Sequence, residues 1–266
     1  MNEKPFKHIW NPIDLSGEHR IRFQFGPLDV RIKRVGDELT IGWRYDRLGE
    51  TRLSLDTEPA RWTDDVDWKR WVGGAEFDRL IFKPIMPDRP IVVRPEMPVS
   101  LLPKETAMFF VGVPSFISVC VGKHEKQLCD IPTSILSNTW FGETTVDGAL
   151  CYGLKTTAKR EHNQLLNHPF RVICPIRIKN ASSEILDIES LCLPVKHLSV
   201  YLGETRLWGN QETVEFRGNK KWGRITSSPG SPPFDGVSGL LSSPRDVSHA
   251  DIVFNVFRKL IPFHNG

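Results

Sequence analysis

Apolar and polar residues alternate with a period of two over much of the first half of the chain. Ile21 and Phe23 stand among Arg20, Arg22 and Gln24, and Leu28, Val30 and Ile32 among Asp29, Arg31 and Lys33. Successive strand side chains point to opposite faces, so this spacing predicts half-buried strands. Gly36-Asp37 follows, and Leu39 to Tyr45 returns; glycine tolerates the positive φ of a two-residue turn, which predicts a tight hairpin. The chain is thus expected to open as an antiparallel meander. Phe77 to Phe82 resumes the alternation after a charged, Trp-rich break. Phe109-Phe110-Val111 and Phe116 to Val121 then read as two buried strands around a turn. This stretch is free of charge from Thr106 to Gly122, but Gly112, Pro114, Ser115 and Ser118 interrupt it and it is too short to span a membrane.

Pro84, Pro87, Pro90, Pro95, Pro98 and Pro103 separate short β-like runs such as Ile91-Val92-Val93. Proline has no donor for a sheet ladder, so these positions are edges, strand ends or connections, with a subdomain junction near 95–105. Further strands are expected over 148–156, 171–180, 185–194, 198–202 and 213–216, a spacing that suits a sandwich or barrel. Ser227 to Pro244 is a loop by composition. Ser248 precedes Asp251 by three residues, and Ile252, Val253, Val256, Phe257, Leu260 and Ile261 recur at helical spacing until Pro262, which predicts a terminal amphipathic helix. The expected fold is mainly β: an antiparallel β-sandwich, or two packed β-sheet subdomains, with a C-terminal amphipathic helix. Residues 1–100 form the meander subdomain, 101–246 the sandwich subdomain with its Ser/Pro-rich loop 227–246, and 247–266 the helix and tail.

Composition narrows the class further. With 39% hydrophobic residues, fifteen Phe and eight Trp, the chain has material for a sizeable core and is neither disordered nor collagenous. A net charge of +3 is too small to announce a polyanion partner without a clustered patch. The five cysteines include no C-x-x-C pair and are odd in number, so they read as reduced, mostly buried thiols, not as a disulfide framework or a zinc knuckle. The N-terminus carries no export signal, which predicts a cytoplasmic, soluble protein.

The sequence has no phosphate-cradling glycine loop and no H-E-x-x-H. Gly236-Val237-Ser238-Gly239 lacks the last glycine and the preceding strand of a nucleophile elbow. Asp64, Asp65 and Asp67 concentrate charge that a hard cation compensates, but Lys69 and Arg70 follow where oxygen ligands are wanted, so a solvated turn paired with arginine is the expected reading. His162, His168 and Cys174 are zinc-type donors at a spacing that matches no compact site. Of two basic stretches, Arg31 to Arg34 is explained by alternation as the wet face of a strand, and Lys155 to Arg160 as an ordinary solvated edge. No metal or organic cofactor is expected.

The candidate binding residues are Arg61, Trp62, Trp68 and Trp71, interleaved with Lys69 and Arg70, because indole faces and guanidinium groups together stack a base, a sugar or a peptide. The competing structural reading is that Trp68 and Trp71, three apart, belong to one helical turn packed on the sheet. A rival enzymatic reading draws Glu143, Asp147 and Glu161 into a cleft floored by Trp140 for acid–base work on a sugar or other small polar ligand.

Pro90 to Val93, Pro98 to Thr106 with its Leu-Pro-Lys, Gly142 to Tyr152, Cys151-Tyr152-Gly153 and Val172 to Asn180, ending Ile-Lys-Asn, together resemble the uncharacterised prokaryotic family called domain of unknown function 432. The resemblance spans roughly residues 20–260 and rests on architectural positions. It implies a mostly β protein with no established activity, and no functional residue is transferred. Through genes lying near those of small-conductance mechanosensitive channels, it also implies an accessory partner of a membrane protein. The sequence thus points to a cytoplasmic binding or interaction module, with a protein partner preferred over nucleic acid.

Overall fold

The alternating segment at the start of the chain folds as a local meander. Strands β2 (His19–Phe25), β3 (Leu28–Val35) and β4 (Glu38–Tyr45) pair in succession, with β5 (Leu53–Asp56) beside β2 and β6 (Asp67–Val72) beside β4. The register aligns Ile21, Ile32 and Ile41, and likewise Phe23, Val30 and Trp43, so one face is apolar. The turns use glycine at positive φ, Gly26 at 59° and Gly36 at 60°. The computed structural model describes residues 4–46, 48–59, 65–73, 77–142, 144, 148–218, 222–234, 236–237, 239–247 and 251–258.

Four further sheets follow. In the first, β1 (Ile13–Asp14), β7 (Arg79–Ile85), β11 (Phe116–Val121) and β12 (Lys126–Pro132) lie in the order β1-β7-β11-β12. A five-stranded sheet runs β13 (Ser137–Gly142), β14 (Gly148–Gly153), β8 (Ile91–Val93), β17 (Ser190–Leu193) and β24 (Phe257–Arg258). A two-stranded ribbon joins β9 (Val99–Leu101) to β16 (Leu186–Ile188). The eight-stranded sheet is built on β15 (Arg171–Asn180), which pairs over its whole length with β10 (Thr106–Pro114).

On its other edge β15 meets β19 (Leu207–Gly209) and then β20 (Glu212–Phe216), both parallel to it. The sheet forks there. Beyond β19 come β18 (Val200–Leu202) and β22 (Leu240–Ser242); beyond β20 come β21 (Trp222–Ser227) and β23 (Asp251–Asn255). Buried Asn210 sits at the fork, where Nδ2 donates to the carbonyls of Ser228 and Gly230 and Oδ1 accepts from the Ser199 amide at 2.7 Å. A single amide thereby satisfies backbone groups on both branches that the split would leave unpaired.

The expected C-terminal helix is corrected. Residues 251–255 are β23, with Ile252 opposite Ile225, and Phe257 in β24 lies opposite Leu191. Short apolar runs fit either period, and here β-branched Ile252 and Val253 complete the edge of β21 instead of coiling. Ser248 and Leu260 to Pro262 lie outside the described residues. Among the described residues, helix is confined to short pieces such as α1 (Lys4–His8) and the 3₁₀ turns His162–Gln164 and Val195–His197. None is long and apolar enough to cross a membrane. Most ladders are antiparallel, as expected, but β14–β8 joins β15–β19 and β15–β20 as parallel.

One apolar cluster runs between the sheets, taking in Phe23, Phe82, Phe109, Phe170, Phe216 and Phe257. Phe23 stacks on Phe82 with ring centroids 4.3 Å apart, which ties the meander to the sheet of β7. A smaller cluster lies on the outer face of β10 and β15, where Phe110, Ile173, Tyr201 and Trp208 are covered by Phe234 from the proline-rich loop. That loop is therefore partly docked, with Phe234 stacked on Trp208 at 4.9 Å.

Candidate functional site

Of the four sequence-predicted binding residues, Arg61 and Trp62 lie outside the described residues. Trp68 and Trp71 occupy strand β6 and not a helical turn, and strand alternation sends them to opposite faces. Trp71, opposite Leu39, packs on the core; Trp68, opposite Gly42, lies on the outer face, where a side chain on Gly42 would strike Val66. Both are half-buried. Lys69 lies 4.9 Å from the Trp43 ring and Arg70 pairs with Glu38. The two described tryptophans thus do not converge on one platform.

The outer face of the meander carries charge instead. Asp29 is buried and accepts from Arg22 Nε at 2.9 Å and Arg44 Nε at 3.1 Å. Arg31 and Arg44 also pair with Asp65. Arg31, expected on the wet face, is only 3% exposed, because Asp65 and Val66 are brought against this face. The buried charges are matched, as burial requires. Asp65 thus pairs with arginine, as its reading as a structural carboxylate requires.

The residues behind the enzymatic reading are not assembled by the described structure. Trp140 stands on edge strand β13 and donates to the Thr144 carbonyl, Glu161 precedes the 3₁₀ turn against the other sheet, and Glu143 and Asp147 lie outside the described residues. The zinc-type donors also separate. Cys174 is in the core, His162 lies against Phe110, Trp208 and Phe234, and His168 contacts Glu50. Among the described residues no group of three His, Cys, Asp or Glu is placed to hold a metal ion. Cys151 and Cys192 touch, Sγ to Sγ 3.4 Å, and sharing that contact in a buried setting pushes the Cys192 thiol up.

A concave site lies elsewhere, at the open end of the β10–β15 ladder. Arg171 begins β15 opposite Pro114, and Gly112 lies on the same outer face, leaving room for the arginine stem. Residues 154–170 then wrap this corner. Lys159 exchanges two main-chain hydrogen bonds with Phe110, and Ala158 donates to the Arg94 carbonyl, which fixes Lys155, Thr156 and Thr157 along one wall. The 3₁₀ turn His162–Gln164 with Leu165 and Leu166 forms the other wall. His168 closes the base, its Nδ1 3.2 Å from the Glu50 carbonyl oxygen and its Nε2 3.7 Å from the Glu50 carboxylate. The cleft, open to solvent on one side, measures about 390 Å³.

Its lining is rich in cations, with the Glu50 carboxylate beside His168 and acting on Arg171. Arg171 Nη1 donates to the Gly112 carbonyl at 3.2 Å and to Thr156 Oγ1 at 3.1 Å, while Nε is buried with no partner among the described residues. The guanidinium lies 5.2 Å from the Phe170 ring, and burial lowers its pKa. Lys159 is paired with Glu96. Among the described residues, no carboxylate lies within ion-pair distance of Lys155 or Arg171. The sequence marked Lys155 to Arg160 only as a basic stretch; Arg171 carried no signal beyond opening a predicted strand.

The motifs behind the family resemblance build a clasp. Leu102 to Glu105 is a tight turn, closed by Glu105 N–H to the Leu102 carbonyl, in which Lys104 adopts φ 66° and its Nζ donates to the Ala181 carbonyl at 2.6 Å. Buried Asn180 donates through Nδ2 to the carbonyls of Leu101, Leu102 and Glu184. Leu-Pro-Lys and Ile-Lys-Asn are thus two halves of one hydrogen-bonded junction. No curated protein and no solved structure matches the chain. A family model described as "Protein of unknown function (DUF432)" matches residues 9–261, and the chain belongs to that family.

Proposed function

We propose that the chain is a binding module and that its ligand site is the cleft between residues 154–170 and the β10–β15 corner. One observation carries this reading: Lys155, Thr156, Thr157, Gln164 and Arg171 line one concave space, so cationic and polar donors converge there. Concave sites where a few polar groups converge are where proteins bind small ligands. The lining is cationic, so it supports binding in place of the paired-carboxylate chemistry of the rival reading. The test is an amide-resolved NMR titration with phenyl phosphate, benzoate, methyl glucoside and phenol. At least one probe is expected to shift the amides of Thr156, Thr157 and Gln164 selectively. Failure of all four to do so removes the cleft as a ligand site.

A second observation favours a protein-facing surface as well. Trp140 and Leu150 are cross-strand partners on the β13–β14 hairpin, 44% and 46% exposed, and on the adjoining pair Arg89 lies 5.4 Å from the Tyr152 ring. Exposed aromatic, aliphatic and arginine side chains at a sheet edge have the composition of interface anchors. We assign this face to the membrane-protein partner that the resemblance implies. Solubilised membranes of the source cell should yield a membrane protein that copurifies with the chain and is lost with Trp140→Ser and Leu150→Ser together. Retention by the doubly substituted protein refutes the assignment.

A further inference from the structure

The geometry points to a soluble phosphate monoester with an organic body as the ligand of the Arg171 cleft, an inference that rests on the cleft being a ligand site. The donors come first. Arg171 lines the cleft with its guanidinium, a rigid planar donor group suited to an oxyanion. Thr156 accepts from Arg171 Nη1, which leaves its hydroxyl proton to donate outward. Thr157 and Lys155 face the same space. Lys155 and Arg171 carry two positive charges to the cleft, with the Glu50 carboxylate acting on Arg171 from beyond ion-pair distance, and a phosphate monoester near neutral pH carries close to −2.

Size and shape supply the rest. At roughly 30 Å³ per water, about 390 Å³ is far more than one phosphoryl group fills. The remaining wall is apolar, with Leu165 buried and Leu166 74% exposed at the rim. An anion with no body would leave this wall wet, and a neutral apolar ligand would leave the cationic lining uncompensated. A free sugar satisfies neither the excess charge nor the leucine wall. Lys159 is held in reserve by Glu96, close enough in sequence and space to join a dianion without being needed for it.

The test uses the full chain and four probes: inorganic phosphate, phenyl phosphate, phenol, and phosphatidylcholine vesicles with or without phosphatidic acid. Phenyl phosphate should shift the Thr156 and Thr157 amides at lower concentration than inorganic phosphate, with affinity that falls as salt is raised. Lys155→Gln, a change at an exposed side chain, should weaken it about tenfold, and Arg171→Gln by at least as much. Because Arg171 also braces Gly112 and Thr156, the Lys155 substitution keeps the test valid if the arginine change impairs folding. Phenol binding the cleft as tightly as phenyl phosphate, with no effect of Lys155→Gln, overturns the anion assignment and leaves the cleft standing. Silence of the cleft amides to every soluble probe overturns both. Binding that requires phosphatidic acid in a vesicle also overturns it, by placing the phosphate on a lipid surface.

Discussion

Glu212 shows how a single buried group makes stability depend on pH. Its carboxyl lies on the core face of β20, in line with Val214 and Phe216, and its hydrogen-bond partner is Ser227 Oγ at 3.5 Å. Burial pushes its pKa from 4.5 up to about 7, and the nearby Cys174 thiol, itself raised by burial, feels its charge. Between pH 4.5 and 7 the native state binds the proton that the unfolded chain releases, so stability falls as pH rises through this window and stays reduced above it. A shift of this size amounts to roughly 3 kcal/mol. Glu212→Gln keeps the contact to Ser227 without the charge. Its melting temperature should exceed that of the natural chain at pH 8, with the gap closing near pH 5; an equal difference at both values rejects the buried, protonating carboxyl.

None of this was legible in the sequence. Glu212 lies one residue before the strand expected at 213–216 and is an unremarked acid there; the parallel ladder with β15 turns it inward. Asn180 was visible as the end of Ile-Lys-Asn, but its three carbonyl partners come from segments 4 to 79 residues away. A short polar side chain carries no periodicity that reveals such partners. The cleft failed for the same reason, since Arg171, Gly112 and Thr156 meet only after β10 and β15 have paired.

Strands marked by two-residue alternation or a bounded apolar run were legible, as in β2-β3-β4 and β15, whereas β6 and β23, whose apolar positions also fit a helical period, were not. The meander β2-β3-β4 follows from alternation plus two glycine turns, whereas β23 finds its place only beside β21. The turns allow a paired test. Gly26 and Gly36 adopt nearly the same φ, but a Cβ on Gly26 would lie 2.2 Å from the Phe170 ring, while nothing lies within 4 Å of one on Gly36. Gly36→Ala should cost about 1–2 kcal/mol, the penalty of left-handed backbone for a residue with a side chain. Gly26→Ala adds a clash with a buried aromatic ring and should cost at least about 1 kcal/mol more in chemical denaturation. Equal losses would mean that Phe170 does not pack against this turn.

At the scale of the whole molecule, two facts pull on how the chain divides. Ladders β7–β11, β8–β14, β8–β17 and β9–β16 join residues on either side of position 100, so strand pairing crosses the junction expected at 95–105. Among the described residues, the strands of the meander β2 to β6, in contrast, pair only with one another. Its apolar face nevertheless belongs to the same cluster as Phe82 and Phe170, and separating it would expose Phe23, Phe25, Val30 and Ile32 at once. At roughly 25 cal/mol for each Å² of apolar surface, baring several full side chains costs more than a local opening is worth. The chain should therefore unfold in urea as one cooperative step, with tryptophan fluorescence and far-ultraviolet circular dichroism tracing the same curve. Two separated transitions would reject that coupling; if hydrogen exchange then assigned the first to residues 19–72, the subdomain boundary would fall between β6 and β7 instead of among the prolines.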